Sequence, residues 1–214
     1  KKIIKFWTEP KHADLRVQRA LCNPDAMPHN VEQSGNFLIH DFAKGDIVYN
    51  QYTLPLFDKM LDWCEKLLWK SAPDSITQED KYKTCYKFYH DKTMERVDMI
   101  RAKYSDWSEP CVVNGKEVLS IDQYLEKIDW EWLCTETSWK FVHGDLHFDN
   151  TIYKYYPYNG SPDPMSIMNR TWWDEIEGKG RHEFTAIDWR TDFGGELYGD
   201  QYYDLAKLLG GLHQ

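Results

Sequence analysis

Short apolar runs near the start of the chain predict β-strands. Residues 2–7 and 36–42 are rich in Ile, Phe and Trp or Leu, and the second run ends in the turn residues 43–46. Between them, residues 13–21 place apolar side chains at helical spacing. The first part of the chain is therefore expected to contain two strands and one helix.

After Gly45 the apolar positions change to helical spacing. Apolar or aromatic stripes recur in two segments, residues 54–68 and 79–104. Ser120 or Asp122 is a suitable N-cap for a third helix that extends to about residue 132. The pair Asn114-Gly115 favours a type I′ turn and predicts a small hairpin.

The last third of the chain predicts short strands followed by a helix. The strands are expected at residues 140–142, 151–155 and 184–187, and the helix at 200–209. Gly210-Gly211 is expected to end that helix. The long polar stretch between residues 156 and 181, which contains Trp172 and Trp173, is expected to be a surface excursion.

This order of elements predicts an α+β fold in two parts. Residues 1–43 would form a small strand-rich part, and residues 44–214 a larger, mainly helical part. Hydrophobic residues make up 42% of the 214 residues, which is enough for a sizeable core.

Charge and cysteine content exclude several classes of protein. The net charge of −9 argues against nonspecific nucleic-acid binding, which depends on basic patches, although it is compatible with a cationic substrate. The five cysteines are dispersed without a C-x-x-C pair, so free thiols in a reducing cytoplasm are expected. No apolar run approaches the ~20 residues of a membrane span, and no signal peptide opens the chain. The oligomeric state stays open.

The residues most informative for chemistry begin at His143-Gly144-Asp145. They follow an apolar strand, Asn150 comes five residues after Asp145, and Asp188 closes a later apolar strand. Phosphoryl transfer needs a carboxylate that orients the attacking hydroxyl, and oxygen ligands for Mg²⁺. Asp145 suits the first role, and Asn150 with Asp188 suits the second.

Two histidines flank the proposed catalytic carboxylate. His143 is expected to brace the loop. His147 would either donate a hydrogen bond near the transferred phosphoryl group or face solvent, and both positions stay open. A zinc site made by His143, His147 and Asp188 is a further hypothesis, but H-x-x-x-H lacks the glutamate of the H-E-x-x-H motif.

These motifs resemble the signature of the aminoglycoside phosphotransferase/choline kinase superfamily, which is related to the protein kinases. The signature H-G-D-x-x-x-x-N corresponds to residues 143–150, and I/L-D-W/F to residues 187–189. A G-D-x-x-x-D-L-A helix corresponds to residues 199–206. The resemblance implies a bilobal protein-kinase-like fold, with a small nucleotide-binding N-terminal lobe and hinge strand in residues 1–43 and a catalytic lobe in residues 44–214.

The resemblance also implies roles for individual residues. Asp145 would be the catalytic base or hydroxyl-orienting carboxylate, with His147 beside the transferred group. Asn150 and Asp188 would bind Mg²⁺, and Asp204 would support the catalytic loop together with His143.

The nucleotide would lie against the first part of the chain. Lys5 matches the strand lysine that contacts nucleotide phosphates, and Lys2 is the competing candidate. Adenine would bind to backbone groups of the hinge strand, at Ile39, His40, Asp41 and Phe42.

The sequence departs from the family pattern in three places. No glycine-rich loop precedes Lys5, and no helices follow the D-L-A helix, so an incomplete N-terminal lobe and an incomplete sequence are expected. The helix after Lys5 also lacks an obvious Glu partner, because Glu9 comes early and Asp14 is short.

The expected activity is transfer of the γ-phosphate of ATP, with Mg²⁺, to a hydroxyl of a small molecule. Trp189 directly follows Asp188 and suits an ammonium group through cation–π contact, so a choline- or ethanolamine-type acceptor is expected first. A sugar or aminoglycoside comes next, because Trp also stacks on sugar rings. The sequence is also compatible with a silent nucleotide-binding pseudokinase module and with one lobe of a larger bifunctional protein.

Overall fold

The computed structural model describes residues 1–104, 111–156 and 181–211. The fold is α+β, as predicted. A three-stranded antiparallel sheet opens the chain in the order β1 (Lys2–Phe6), β3 (Phe37–Asp41), β2 (Glu32–Ser34). Helix α1 (Pro10–Cys22) follows β1 and packs on β2 and β3. Strand β2 was not predicted, because its three residues are polar and give no apolar alternation.

Helices dominate the middle of the chain. Strand β4 (Asp46–Ile47) leads into α2 (Val48–Gln51), α3 (Leu54–Trp63), α4 (Gln78–Tyr86) and α5 (Lys92–Lys103). A π-helical turn at Cys64–Leu68 extends α3, and another at Lys87–Asp91 joins α4 to α5. The two long helical segments predicted from the apolar stripes are therefore confirmed, with a π-helical turn in each.

The hairpin and the helix after it follow local signals. Strands β5 (Cys111–Val113) and β6 (Lys116–Val118) pair across a turn in which Asn114 and Gly115 both have positive φ, as a type I′ turn requires. The single helix predicted to residue 132 is wrong, because two helices, α6 (Ile121–Leu125) and α7 (Trp130–Thr135), replace it. A side-chain cap at Asp129, which accepts from the Trp132 amide at 2.9 Å, starts the second helix separately.

Short strands carry the candidate site. Strand β7 (Trp139–Phe141) pairs with β10 (Tyr198–Asp200), and β8 (Thr151–Tyr156) lies between β4 and β9 (Arg181–Ala186). Helix α8 (Gln201–Gly211) follows β10 directly. The two glycines that were expected to end the helix are its last two residues, so the helix extends two residues past the predicted end at 209. Trp172 and Trp173 of the predicted excursion lie outside the described residues.

One hydrophobic core crosses the predicted boundary at residues 43 and 44. Ala13 and Leu38 from the first part pack in the same buried cluster as Met60, Phe141 and Leu208. The predicted division into two lobes therefore stays a prediction. Among the described residues, none of the helices has the length and apolar character needed to cross a membrane.

A buried arginine fastens the first part to the rest. The fully buried guanidinium of Arg19 on α1 donates to the Val142 carbonyl and lies 4.9 Å from the centre of the Phe141 ring. Because Val142 directly precedes the His-Gly-Asp loop, α1 is held against the segment that carries the candidate chemistry.

Candidate active site

A buried carboxylate from helix α8 holds the loop that follows β7. Asp204 has no exposed surface and accepts from the His143 amide at 2.7 Å, the Gly144 amide at 2.8 Å and the Trp69 indole at 3.0 Å. Burial raises the pKa of Asp204, while these donors and the charge of Arg19 oppose that rise. The loop-supporting role that the resemblance implies for Asp204 matches these contacts.

His143 braces the same loop from inside. Its Nδ1 accepts a hydrogen bond from the Asp145 amide at 3.2 Å, which leaves Nε2 to carry the proton and donate to the Ile187 carbonyl at 2.9 Å. Burial lowers the pKa of this fully buried imidazole to about 4, despite the opposing effect of the Ile187 hydrogen bond. His143 is therefore neutral at pH 7, and it connects the loop to the end of β9.

We expect His143 to make the protein less stable in mild acid. The imidazole stays neutral in the folded chain down to about pH 4, whereas the unfolded chain takes up a proton near pH 6.5. The contribution of the neutral imidazole to the free energy of unfolding is therefore fully present above about pH 6.5. It falls as the pH drops toward 4, by on the order of 2 kcal/mol at pH 5. Urea unfolding at pH 7 and pH 5 measures this loss.

The matched variant for this measurement is His143→Asn. It removes the titrating group and is expected to lower stability at pH 7 while reducing the difference between pH 7 and pH 5. An equal pH dependence in the variant and the parent protein would contradict the assignment to His143.

The glycine between His143 and Asp145 is required by its surroundings. Gly144 has φ +82°, and a Cβ added there would lie 2.8 Å from Cδ of Arg190. A side chain at this position would therefore meet both an unfavourable backbone conformation and the packed arginine. This contact also shows that Arg190 lies directly against the His-Gly-Asp loop.

Asp145 meets a cation that the sequence analysis missed. Its Oδ1 lies 2.9 Å from Nζ of Lys207 on α8 and 3.3 Å from Nε2 of His147. Burial acts to raise the pKa of Asp145, but the hydrogen bond and charge of Lys207 and the charge of His147 bring it below its usual value. The Asp145 carboxylate is therefore ionised at neutral pH, and its partly exposed oxygens can accept hydrogen bonds.

His147 lies beside the proposed catalytic carboxylate, and its hydrogen bond to the transferred phosphoryl group stays a prediction. Nε2 lies 3.3 Å from Asp145 and 3.5 Å from Nζ of Lys207, so the ring belongs to the group around the proposed catalytic carboxylate. Asp204 and Lys207 are three residues apart and share one face of α8, so the helix that supports the loop also presents this cation to Asp145.

Asn150 and Asp188 lie at adjoining ends of two paired strands. The register of β8 and β9 pairs Thr151 with Ala186, and the Ile187 amide donates to the Asn150 carbonyl at 2.9 Å. Nδ2 of Asn150 donates to the Asp145 carbonyl at 2.8 Å, so the amide oxygen is the group left to accept or to bind a cation. Asp188 has φ +60° and a half-exposed side chain.

This pair of oxygen donors fits the ligand preference of Mg²⁺, which keeps several waters and takes one or two protein groups. The zinc hypothesis is wrong, because no group of three or more His, Cys, Asp or Glu in the described part of the chain could hold a metal ion. His143 is occupied by the Ile187 carbonyl and the Asp145 amide instead.

Lys5 reaches the same place from the first sheet. It forms an ion pair with Asp188, and both side chains line a cleft of about 150 Å³ together with Trp7, Arg16, Leu38 and Trp189. The competing candidate Lys2 pairs with Asp41 at 3.0 Å instead. A volume of this size has room for a phosphate group and a few waters rather than for a whole nucleotide.

Helix α1 contributes an arginine to the cleft. Arg16 of that helix lies in the cleft, with its guanidinium 3.8 Å from the centre of the Trp7 ring. Burial lowers the pKa of Lys5, and the charge of Arg16 lowers it further. The described partner of Lys5 is therefore Asp188, and α1 contributes a second cation to the cleft.

The predicted adenine strand already uses some of its backbone groups. The amides of Asp41 and Phe42 donate to the carbonyls of His29 at 2.9 Å and Lys1 at 3.1 Å. Ile39 is paired within the sheet, and the buried ring of His40 contacts the Asp41 carbonyl at 2.8 Å through Nδ1. Adenine contact at these four residues stays a prediction, in which the two amides would have to exchange partners.

Trp189 is too deeply buried to contact a substrate through its ring. Only 1% of its surface is exposed, its Nε1 donates to the Arg16 carbonyl at 3.0 Å, and its ring centre lies 6.1 Å from that of His40. These contacts tie the end of β9 to α1 and leave almost no ring surface for an ammonium group. The predicted cation–π contact therefore receives no support from the geometry.

Comparison with known proteins gave no match, either among protein-family models, among curated proteins or among solved structures.

Proposed function

We propose that this chain is an ATP- and Mg²⁺-dependent phosphotransferase, with a bilobal kinase-like arrangement, that acts on a hydroxyl of a small molecule. One observation carries the proposal: the ionised Asp145 and the paired oxygen donors of Asn150 and Asp188 occupy one loop and the adjoining strand end. Lys5 completes the set by its ion pair with Asp188. A carboxylate for the acceptor, oxygen ligands for a metal and a cation for phosphates are the parts that phosphoryl transfer needs.

The proposed mechanism depends mainly on positioning and charge. Asp145 orients the acceptor hydroxyl, whose oxygen bonds to the γ-phosphorus while the bond to the β–γ bridging oxygen breaks. ADP leaves, and the hydroxyl proton passes to Asp145. Asn150 and Asp188 would hold Mg²⁺, which when bound neutralises phosphate charge. Lys5 adds positive charge on the nucleotide side, and Lys207 keeps the Asp145 carboxylate ionised.

A silent nucleotide-binding module is the second candidate. The observation that favours it is the environment of Lys5, which shares its cleft with Arg16 of α1, whereas the resemblance implies a glutamate on that helix. The cleft could then bind phosphates without transfer. The complete set of Asp145, Asn150 and Asp188 favours catalysis instead.

The test is ADP release from Mg·ATP across a panel of amino alcohols, sugars, aminoglycosides and their phosphorylated or carboxylated counterparts. The blank is the Asp145→Asn variant. We expect one acceptor class to stimulate release in the parent protein and not in the variant. Mg·ATP binding with no stimulation by any acceptor would move the assignment to a nucleotide-binding module, and a lack of Mg·ATP binding would overturn both.

Asp188→Asn is expected to weaken Mg²⁺-dependent nucleotide binding by roughly 10- to 100-fold, which corresponds to the loss of one charge-assisted contact. Asn is chosen because it tolerates the left-handed conformation of residue 188 better than Ala does. Titration calorimetry with ATP, in the presence of Mg²⁺ and of a chelator, measures the effect. Equal Mg·ATP affinity in variant and parent would remove Asp188 from the metal site.

A further inference from the structure

Three cations form a series that ends at the proposed catalytic carboxylate. Nζ of Lys92 lies 4.4 Å from the centre of the Phe88 ring, and Cζ of Arg190 lies 5.5 Å from the same centre. Arg190 in turn is 3.4 Å from the hydroxyl of Tyr203. Nζ of Lys207 lies 5.9 Å from the centre of the Tyr203 ring and 2.9 Å from Asp145. We call Lys92, Arg190 and Lys207 the cationic track.

The track concentrates positive charge in a chain whose net charge is −9. All three side chains are partly buried. Burial lowers the pKa of Lys92 to about 8, and the charges of Arg190 and Arg96 lower it further, against the opposing charges of Asp192 and Glu95. Cations packed together at reduced exposure repel one another, and a bound anion would relieve that repulsion.

Asp192, the carboxylate whose charge acts most on Lys92, already has its own hydrogen-bond donors. Asp192 accepts from the Thr191 hydroxyl at 2.8 Å and from the Gly195 amide at 2.8 Å. Its negative charge interacts electrostatically with Arg19, Arg190 and Lys92. Asp192 therefore offsets part of the positive charge without forming a close ion pair with Lys92 or Arg190 among the described contacts.

Two members of the track, Arg190 and Lys207, lie beside the loop that carries Asp145. Among the described residues that line the cleft around Lys5 and Asp188, none belongs to the track. Arg190 packs against Gly144, the residue before Asp145, and Lys207 contacts the carboxylate that would orient the acceptor hydroxyl. An acceptor bound at Asp145 would therefore have Arg190 and Lys207 beside it, and Lys92 is the next member of the track.

We propose that the acceptor is an anion, a small hydroxyl compound whose phosphate or carboxylate group is bound by Lys92 and Arg190. A guanidinium recognises either group through two parallel hydrogen bonds, and an ammonium adds a point charge. The inference rests on the proposed phosphotransferase function and leaves its transfer step unchanged. It replaces the amino alcohol expected from the sequence, because a cationic acceptor would meet like charges beside Asp145.

The test uses matched acceptors that differ only in charge. Glycerol, glycerol 3-phosphate and glycerate are compared with ethanolamine and choline in the ADP-release assay, and the Asp145→Asn variant supplies the blank. We expect stimulation by the phosphorylated or the carboxylated compound above that by glycerol, ethanolamine or choline. The two anionic compounds distinguish a phosphate site from a carboxylate site.

Lys92→Gln is the variant that tests the binding residue. We expect the KM for the anionic acceptor to rise roughly 10- to 100-fold, with kcat and Mg·ATP affinity unchanged. Lys103→Gln is the matched control, because Lys103 lies on the same helix over the Tyr104 ring at 5.3 Å and is exposed. Titration calorimetry with glycerol 3-phosphate and glycerate, without nucleotide, supplies a readout that needs no turnover.

The outcomes separate this inference from the proposed function. Stimulation by ethanolamine or choline that depends on Asp145 would support the phosphotransferase and overturn the anionic acceptor. A loss of Mg·ATP affinity in Lys92→Gln would overturn the inference by assigning the track to the nucleotide. If calorimetry detects binding of neither anion, or if Lys92→Gln leaves that binding unchanged, the anionic-acceptor inference is overturned as well. This conclusion does not depend on whether the protein binds ATP.

Discussion

Asp145→Asn is expected to lower acceptor-stimulated ADP release by roughly 10²- to 10⁴-fold, the range usually contributed by a positioned general base. An amide cannot take the hydroxyl proton, and it also loses the ion pair with Lys207 at 2.9 Å. The affinity for Mg·ATP should change little, because Asn150, Asp188 and Lys5 are untouched. Steady-state kinetics and calorimetry on the same preparation measure the two quantities.

The control for this substitution lies in the same loop. Asp149 is exposed and belongs to the 3₁₀ turn Phe148–Asn150, so Asp149→Asn makes the same chemical change without touching the proposed base. We expect near-parent turnover from it. Parent-like turnover in Asp145→Asn, or an equal fall in both variants, would remove Asp145 from the catalytic role.

Asp204→Ala is expected to lower the free energy of unfolding by roughly 3–5 kcal/mol, as when one partner of a buried charged network is removed. The substitution leaves the amides of His143 and Gly144 and the Trp69 indole without their acceptor. It also removes a carboxylate whose negative charge stabilises the buried guanidinium of Arg19. Urea unfolding at pH 7, followed by tryptophan fluorescence, gives the value.

A surface aspartate supplies the comparison for this loss. Asp62 on α3 is 72% exposed and pairs with Lys66 at 3.1 Å, so Asp62→Ala should cost less than about 1 kcal/mol. If Asp204→Ala is too unstable to purify, Asp204→Asn keeps one acceptor oxygen and should give an intermediate loss. A change below about 1 kcal/mol in both Asp204 variants would show that the loop does not depend on this carboxylate.

Elements with a local cause could be predicted from the sequence. The type I′ turn at Asn114-Gly115 was predicted because these two residues adopt positive φ readily, whatever surrounds them. Ser120 and Asp122 were the two predicted N-caps of the helix that follows, and Ser120 is the one observed, because its side chain accepts from the Gln123 amide at 3.2 Å. The apolar stripes of residues 54–68 and 79–104 likewise gave the long helical segments.

Other features depend on contacts between distant residues. Strands β2 and β10 are short and partly polar, so their extended conformation is stabilised by pairing with β3 and β7 rather than by their own propensity. The π-helical turns also escaped the apolar pattern, since a stripe does not distinguish i→i+4 from i→i+5 hydrogen bonding at one turn.

The candidate site also combines features predicted from local spacing with features that depend on distant contacts. The spacing of His143, Asp145 and Asn150, with Asp188 after a second strand, predicted a group of oxygen donors. The two strand ends are joined by the Ile187 amide and the Asn150 carbonyl at 2.9 Å, and the metal-binding role stays a prediction. The contacts of Asp204 with the loop agree with the support expected of it. Adenine binding at the hinge strand and the acceptor are still predictions.

The sequence by itself determined most of the elements, the α+β class and the candidate set around Asp145, since each depends on spacing along one short segment. Tertiary structure alone brought Lys207 to Asp145, placed Arg16 beside Lys5 and buried Trp189. These three features depend on packing between segments that are far apart in sequence. The two charge contacts also depend on the electrostatic field at the site, to which side chains from α1, α5, α8 and the loop after β9 all contribute. A chain with a net charge of −9 can therefore place three partly buried cations in one series that ends at Asp145.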